Sequence, residues 1–131
     1  MTAVVVDTDV VSFLFKSDSR AQLYLPLRNR DLLVSFMTEA ELEQWILLAK
    51  WGVERVRRFR TFMTGFASVP TSRDLILQWA AVMVAARANG RRIEAADAWI
   101  AATTLLYNAS LITHNPKDYL GVPNLRVLSC I

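Results

Sequence analysis

The residues able to do chemistry in this chain are mostly acids, and they fall at a few recurring kinds of place. Asp7 follows the apolar run Val4-Val5-Val6 directly, with Asp9 two residues on. Glu39 and Glu41 come shortly after a second apolar run, Leu32 to Phe36. Asp97 is embedded in Ala95-Ala96-Asp97-Ala98-Trp99-Ile100, and Asn115 and Asp118 follow Leu111-Ile112-Thr113. Carboxylates brought together repel and raise each other's pKa unless a cation intervenes. A hard divalent ion, which takes oxygen ligands, resolves that conflict. One Cys and one His are too few to build a zinc site. The pattern therefore predicts a carboxylate Mg²⁺ or Mn²⁺ site that activates water against a phosphodiester.

Each residue also has a purely local reading. Asp7 could end a strand or cap the next helix. Thr38-Glu39-Ala40-Glu41 has the form of a capping box, with Glu41 reaching back to the Thr38 amide. Glu39 and Glu43 fit first-turn dipole partners on a solvated face. Asp97 could serve a helix N-terminus, with Glu94 as its competitor, yet an unpaired carboxylate among Ala, Trp and Ile costs several kcal/mol to bury. Asp118 could be a turn residue of Asn115-Pro116-Lys117-Asp118. His114 reads as a hydrogen-bonding neighbour before a general base. The four tryptophans, 45, 51, 79 and 99, read as core. Arg55 to Arg60 interleaves guanidinium and aromatic groups, a mix that suits either a solvated face or a nucleic-acid groove.

These acids need elements to position them. Ala3 to Val6 is β-rich and apolar without alternation, which predicts a strand buried on both faces. Val10 to Phe15 begins a helix. Leu32 to Phe36 is a second strand, and a helix runs from Thr38 to Trp51 with Gly52 where a left-handed cap would sit. Val53 to Met63 is helical. Ala67 to Val69 is a short edge strand before Pro70. Thr71 to Ala88 is a helix capped by Thr71 or Ser72 and stopped at Asn89-Gly90, and Glu94 to Tyr107 is another, ending near Asn108. Ser110 to Thr113 and Leu125 to Leu128 complete the strands. Alternating strands and helices predict an α/β fold with a mainly parallel sheet, whose ligands bind beyond the carboxyl ends of the strands.

Composition narrows the class. At 131 residues the chain is expected to be one domain, 1–131. It is 53% hydrophobic, 21% charged and of mean hydropathy +0.27, which excludes a disordered chain. No apolar run reaches the ~18 residues of a membrane span, and the opening residues meet Asp7 with no basic segment before them, unlike a secretory signal. The lone cysteine, Cys130, has no internal disulfide partner. A reducing, cytoplasmic setting is the expectation. The net charge of +3 rests mostly on arginine and permits an anionic partner.

Taken as a set, the motifs carry a resemblance. Val5-Val6-Asp7-Thr8-Asp9 resembles the opening strand of PIN-domain nucleases, which usually show Asp-Thr-Asn there. Ser35-Phe36-Met37-Thr38-Glu39-Ala40-Glu41-Leu42 is similar to the second motif, Ser-x-x-Thr-x-x-Glu-Leu, and puts its acid on Glu41. Asp97-Ala98-Trp99-Ile100-Ala101-Ala102 is similar to the third. Leu111 to Tyr119 is similar to the fourth, whose acid stands at either the Asn115 or the Asp118 position. By length and pattern the chain is similar to VapC-like toxins of bacterial toxin–antitoxin pairs.

The resemblance implies a three-layer α/β sandwich, in which a mainly parallel sheet is flanked by helices. It implies an acidic pocket holding Mg²⁺ or Mn²⁺ on Asp7, Glu41, Asp97 and Asp118, endonucleolytic hydrolysis of RNA, homodimers, and inhibition by a small antitoxin protein. Thr8 or Thr38 would orient carboxylates. Two readings compete with it. Asp7-Thr8-Asp9-Val10-Val11 also fits the nucleophile loop of HAD-type phosphatases, with Ser35 and Lys117 as helpers. A fold of this kind could also act as a non-catalytic interaction domain.

Overall fold

The computed structural model describes residues 3–24 and 29–129. Residues Ala3–Val6 form strand β1 and Thr8–Lys16 helix α1. Asp31–Ser35 is β2, Phe36–Leu48 α2, Val53–Met63 α3 and Ala67–Val69 β3. Arg73–Ala88 is α4, Ala95–Leu106 α5, Ser110–Ile112 β4 and Val127–Leu128 β5. Single 3₁₀ turns cover Ser19–Leu23 and Pro116–Tyr119.

The five strands pair in the order β3-β2-β1-β4-β5, and every pairing is parallel. β1 lies in the middle, with Val5 in register with Leu33 on one side and Leu111 on the other. The chain fills one half of the sheet through β2 and β3 and the other through β4 and β5. The order therefore switches at β1, and the crevice at its carboxyl end is where such sheets bind ligands. Asp7 is the first residue beyond that end, its amide still donating to Ile112 O at 2.9 Å.

The non-alternating valines of β1 are buried on both sides, as their pattern predicts. Val4 and Val6 join Val10, Phe13, Leu42, Ile46 and Phe59 under α1, α2 and α3. Val5 joins Leu75, Val82, Ile100, Ala101 and Leu111 under α4 and α5. This is the α/β, parallel-sheet architecture expected. Among the described residues, no helix is long and apolar enough to cross a membrane.

Several element ends differ from their sequence expectations. α1 starts at Thr8 rather than Val10, because Asp7 caps it. α2 starts at Phe36, not Thr38: the Ser35 hydroxyl at the strand end accepts from Met37 N at 3.0 Å, so Thr38 is already inside the first turn and fully buried. The expected capping box does not form. The left-handed residue after α2 is Lys50 (φ 54°), with Trp51 N donating to Ile46 O at 3.2 Å. Gly52 has an ordinary φ of −74° and is the N-cap of α3. Trp51 packs on Phe15 and Trp45, and the chain must turn before it rather than after it. The other stops hold: Ser72 caps α4 at Leu75 N, and Gly90 takes the left-handed position (φ 70°) behind it. Cys130 lies outside the described residues.

Candidate active site

Asp7 is the centre of the site. Its backbone is extended because β1 ends there, and its side chain turns inward, with the residue only 7% exposed. Oδ1 accepts from Thr8 N at 2.7 Å, starting α1. Oδ2 accepts from Thr113 Oγ1 at 2.8 Å and from Tyr119 Oη at 2.9 Å. The helix-cap expectation for Asp7 is met through Oδ1, while Oδ2 faces the hydroxyls of Thr113 and Tyr119.

Tyr119 joins the two halves of the site. Its hydroxyl donates to Asp7 and stands 3.5 Å from Asp97 Oδ1. Asp97 is half-buried in the first turn of α5, which follows Glu94 with no side-chain cap. Glu41, half-buried on α2, accepts from Thr8 Oγ1 at 2.6 Å, and Thr38 Oγ1 lies 3.0 Å from the same hydroxyl. Thr8 thus reaches the acid directly, and Thr38 touches only the Thr8 hydroxyl. Asp118 is exposed on the 3₁₀ turn after β4 and lines one cavity together with Asp97. Glu39 does not join this group; it accepts from Ser68 Oγ on β3.

The electrostatics record the crowding. Burial pushes Asp7 up to about 7, with the charge on Asp9 adding to it. Asp97 is pushed up to about 6, first by burial and then by Asp118 and Glu41. Burial raises the Tyr119 phenol too, and the neighbouring carboxylates raise it further. No Lys, Arg or His pairs with Asp7 or Asp97 among the described residues. As they are placed, no three His, Cys, Asp or Glu side chains among the described residues form a group that could hold a metal ion. The donor set is all oxygen, however, and its charge is uncompensated, which is the chemistry a hard divalent cation fits.

Asp9 and Asn115, the two departures from the PIN pattern, face each other. Asn115 Nδ2 donates to Asp9 Oδ2 at 2.8 Å, and His114 N reaches the same oxygen at 3.2 Å. One hydrogen bond thus joins an acid of the first motif to an amide of the fourth. Asn115 is occupied there, and Asp118 is the acid of this segment that borders Asp97. Burial still raises Asp9, against the hydrogen bonds it accepts. His114 packs edge-on against Phe13, with Nδ1 2.6 Å from Tyr24 Oη, and is a structural neighbour.

Sequence reasoning missed Thr113 and Tyr119. Thr113 directly follows the end of β4, where sheets of this kind bind ligands, and Tyr119 ends the 3₁₀ turn that comes after it. That was the available signal.

With this geometry established, the likeness to known proteins has a structural basis. Residues 4–120 match the PIN domain, and the chain belongs to that family. It is 27% identical to Ribonuclease VapC1 of Haemophilus influenzae (strain R2866), over 92% of each chain. It is 29% identical to Ribonuclease VapC4 of Mycobacterium tuberculosis, over 73% of this chain and 75% of that one. In three dimensions it is similar to VapBC-1 from nontypeable Haemophilus influenzae, with a TM-score of 0.79, 26% identity and 98% of each chain covered. It shares the fold of VapBC2 from Rickettsia felis, with a TM-score of 0.84 at 20% identity over 97% and 98% of the chains. The phosphatase alternative gives way to this family. Its proposed helper Ser35 is buried as a helix cap, and its proposed acid Asp9 is tied to the β4 loop.

Proposed function

We propose that residues 1–131 form one nuclease unit, a divalent-metal-dependent endoribonuclease of the VapC toxin type, restrained in the cytoplasm by a small antitoxin protein. The observation that carries this reading is the Tyr119 hydroxyl, 2.9 Å from Asp7 and 3.5 Å from Asp97, which links acids from two separate sequence motifs. The ribonuclease names of the curated relatives and the toxin–antitoxin nature of the neighbouring structures support substrate class and partner. The homodimer is an inference from the family resemblance.

In this reading Asp7, Glu41, Asp97 and Asp118 would hold Mg²⁺ or Mn²⁺. A divalent ion there supplies Lewis acidity toward phosphate oxygens and water. The protein's own part is to fix the oxygens beforehand. Thr113 and Tyr119 hold one oxygen of Asp7, and Thr8 holds Glu41, so less reorganisation remains for the moment of reaction. Asp118, on an exposed turn, would orient the attacking water or complete the donor set. In-line attack on the phosphodiester then leaves a 5′-phosphate and a 3′-hydroxyl.

Cleavage of total RNA with Mg²⁺ or Mn²⁺ should fall by about 10- to 100-fold or more in Asp7→Asn and in Asp97→Asn. Undiminished cleavage by either variant removes the site as drawn. Stability gives an independent readout. The Asp7 carboxyl is raised to about 7 in the folded chain, so the stability it contributes is complete below about pH 4 and is lost as pH rises through about 7. Without divalent ion the Tm should fall across that window, and Asp7→Asn should flatten the fall. Added Mg²⁺ or Mn²⁺ should raise Tm more at about pH 8 than at about pH 5, since an ion bound by the folded state stabilises by mass action.

A further inference from the structure

The arginine stretch in α3 was one expected site for a polyanion, and the structure commits much of it elsewhere. Arg57 pairs with Glu54, Arg60 pairs with Glu43, and Arg55 lies 4.3 Å over the Trp51 ring. A different group of cations borders the acids. A cavity of about 610 Å³ has Asp97 and Asp118 in its wall, together with Arg87, Arg92 and Lys117. Arg87 comes from the last turn of α4, Arg92 from the α4–α5 connection and Lys117 from the turn after β4. All three are exposed, and none has an ion-pair partner among the described residues.

We propose that Arg87, Arg92 and Lys117 form a backbone-phosphate subsite for single-stranded RNA, on the α4 side of the acid cluster. The proposal rests on the ribonuclease reading and extends it to the substrate's path. Asp97 and Asp118, with the exposed Glu94 in the same lining, repel a polyanion, so a strand that reaches them needs compensating charge along its approach. Three cations from separate segments, converging on the same cavity as those acids, provide it. Two are guanidinium groups, whose planar forks match phosphate oxygens, and the third is a compact ammonium. The uncapped first turn of α5 opens on the same cavity and adds its positive end. A walled cavity suits a single strand, whereas a duplex would ride over its rim. These contacts touch phosphate rather than base, so they position the strand and carry no sequence preference.

The test is binding of a short labelled oligoribonucleotide in EDTA, where nothing is cut, across a salt series. Wild type is compared with Arg87→Ala, Arg92→Ala and Lys117→Ala, with Arg58→Ala in α3 as the control. Each cavity variant should weaken binding several-fold and reduce the slope of log K against log salt by about 0.7, the share of one phosphate on a single strand. Arg58→Ala should leave both unchanged. Unaltered slopes in all three variants, an equal change in Arg58→Ala, or no binding by wild type overturns the subsite. So does a set of variants that release a polyglutamate peptide while binding RNA normally. Cleavage assays separate this from the underlying reading. Wild type that cuts RNA while the slopes stay fixed defeats only the subsite. Slopes that fall while no divalent ion supports cleavage defeat only the nuclease reading.

Discussion

The two faces of the sheet are packed with different materials. Under α1, α2 and α3 lie Phe13, Tyr24 and Phe59, with Phe15, Trp51 and Phe62 against them. Phe15 stacks on Trp51 at 5.5 Å and meets Phe59 edge-on at 5.1 Å. Under α4 and α5 the buried set is richer in small side chains, Ala86, Ala98, Ala101, Ala102 and Ala109, with Tyr119 buried among them. The stacked pair Trp79–Trp99 and Phe36 are only partly buried against them. Rings fill volume and hold helices away from a sheet, whereas small side chains let a helix settle close. The difference teaches a division of labour. The aromatic face supplies bulk, and the alanine face sets how near the first turn of α5, and so Asp97, can come to Asp7.

The comparison can be broken by loading each face in turn. The largest effect should come from Phe59→Ala on the aromatic face, a loss of about 3–5 kcal/mol. Urea unfolding would measure it, and cleavage per folded molecule should stay near wild type. Ala98→Leu, adjacent to Asp97 and fully buried, should cost less stability, about 1–3 kcal/mol from overpacking. It should nevertheless reduce cleavage beyond the loss of folded protein, because it displaces the turn that carries the acid. If Phe59→Ala lowers activity per folded molecule as much as Ala98→Leu does, the division fails.

The smallest effect sharpens the picture at the site itself. The reciprocal exchange Asp9→Asn with Asn115→Asp keeps one acid, one amide and the hydrogen bond between them. Its stability should stay within about 1 kcal/mol of wild type. Asn115→Asp alone places two carboxylates face to face and should destabilise more, and thermal melts of the single and double variants at neutral pH would show the order. A double variant no better than the single one would mean that this pair is not a unit.

Much of this was legible in the chain. The unbroken valines of β1, the turn at Asn89-Gly90 and the Ser72 cap announced themselves, because each rests on a local preference few neighbours could override. Asp7 and Asp97 stand out from their places after or between apolar runs, whereas Glu41, which alone reads as a helix cap, stands out only through its likeness to the second PIN motif. What escaped depended on competition or on distant contact. Ser35 and Thr38 both could start α2, and only the position of the strand end decides between them. Gly52 had the right residue type for a left-handed turn, but Trp51 fixed the turn earlier by packing into the aromatic layer. Tyr119 matters because its hydroxyl crosses to residues 112 and 22 positions away. No periodicity encodes that. The α3 arginines looked available until Glu43 and Glu54 were placed beside them.

One carboxyl divides its two oxygens between architecture and chemistry. Oδ1 of Asp7 belongs to the helix it launches, and Oδ2 belongs to the hydroxyls that hold the pocket together. An attempt to graft this acid onto another scaffold would therefore have to carry a strand end and a helix start along with it. Moving the acid alone would leave the new site without its aim and the old helix without its beginning.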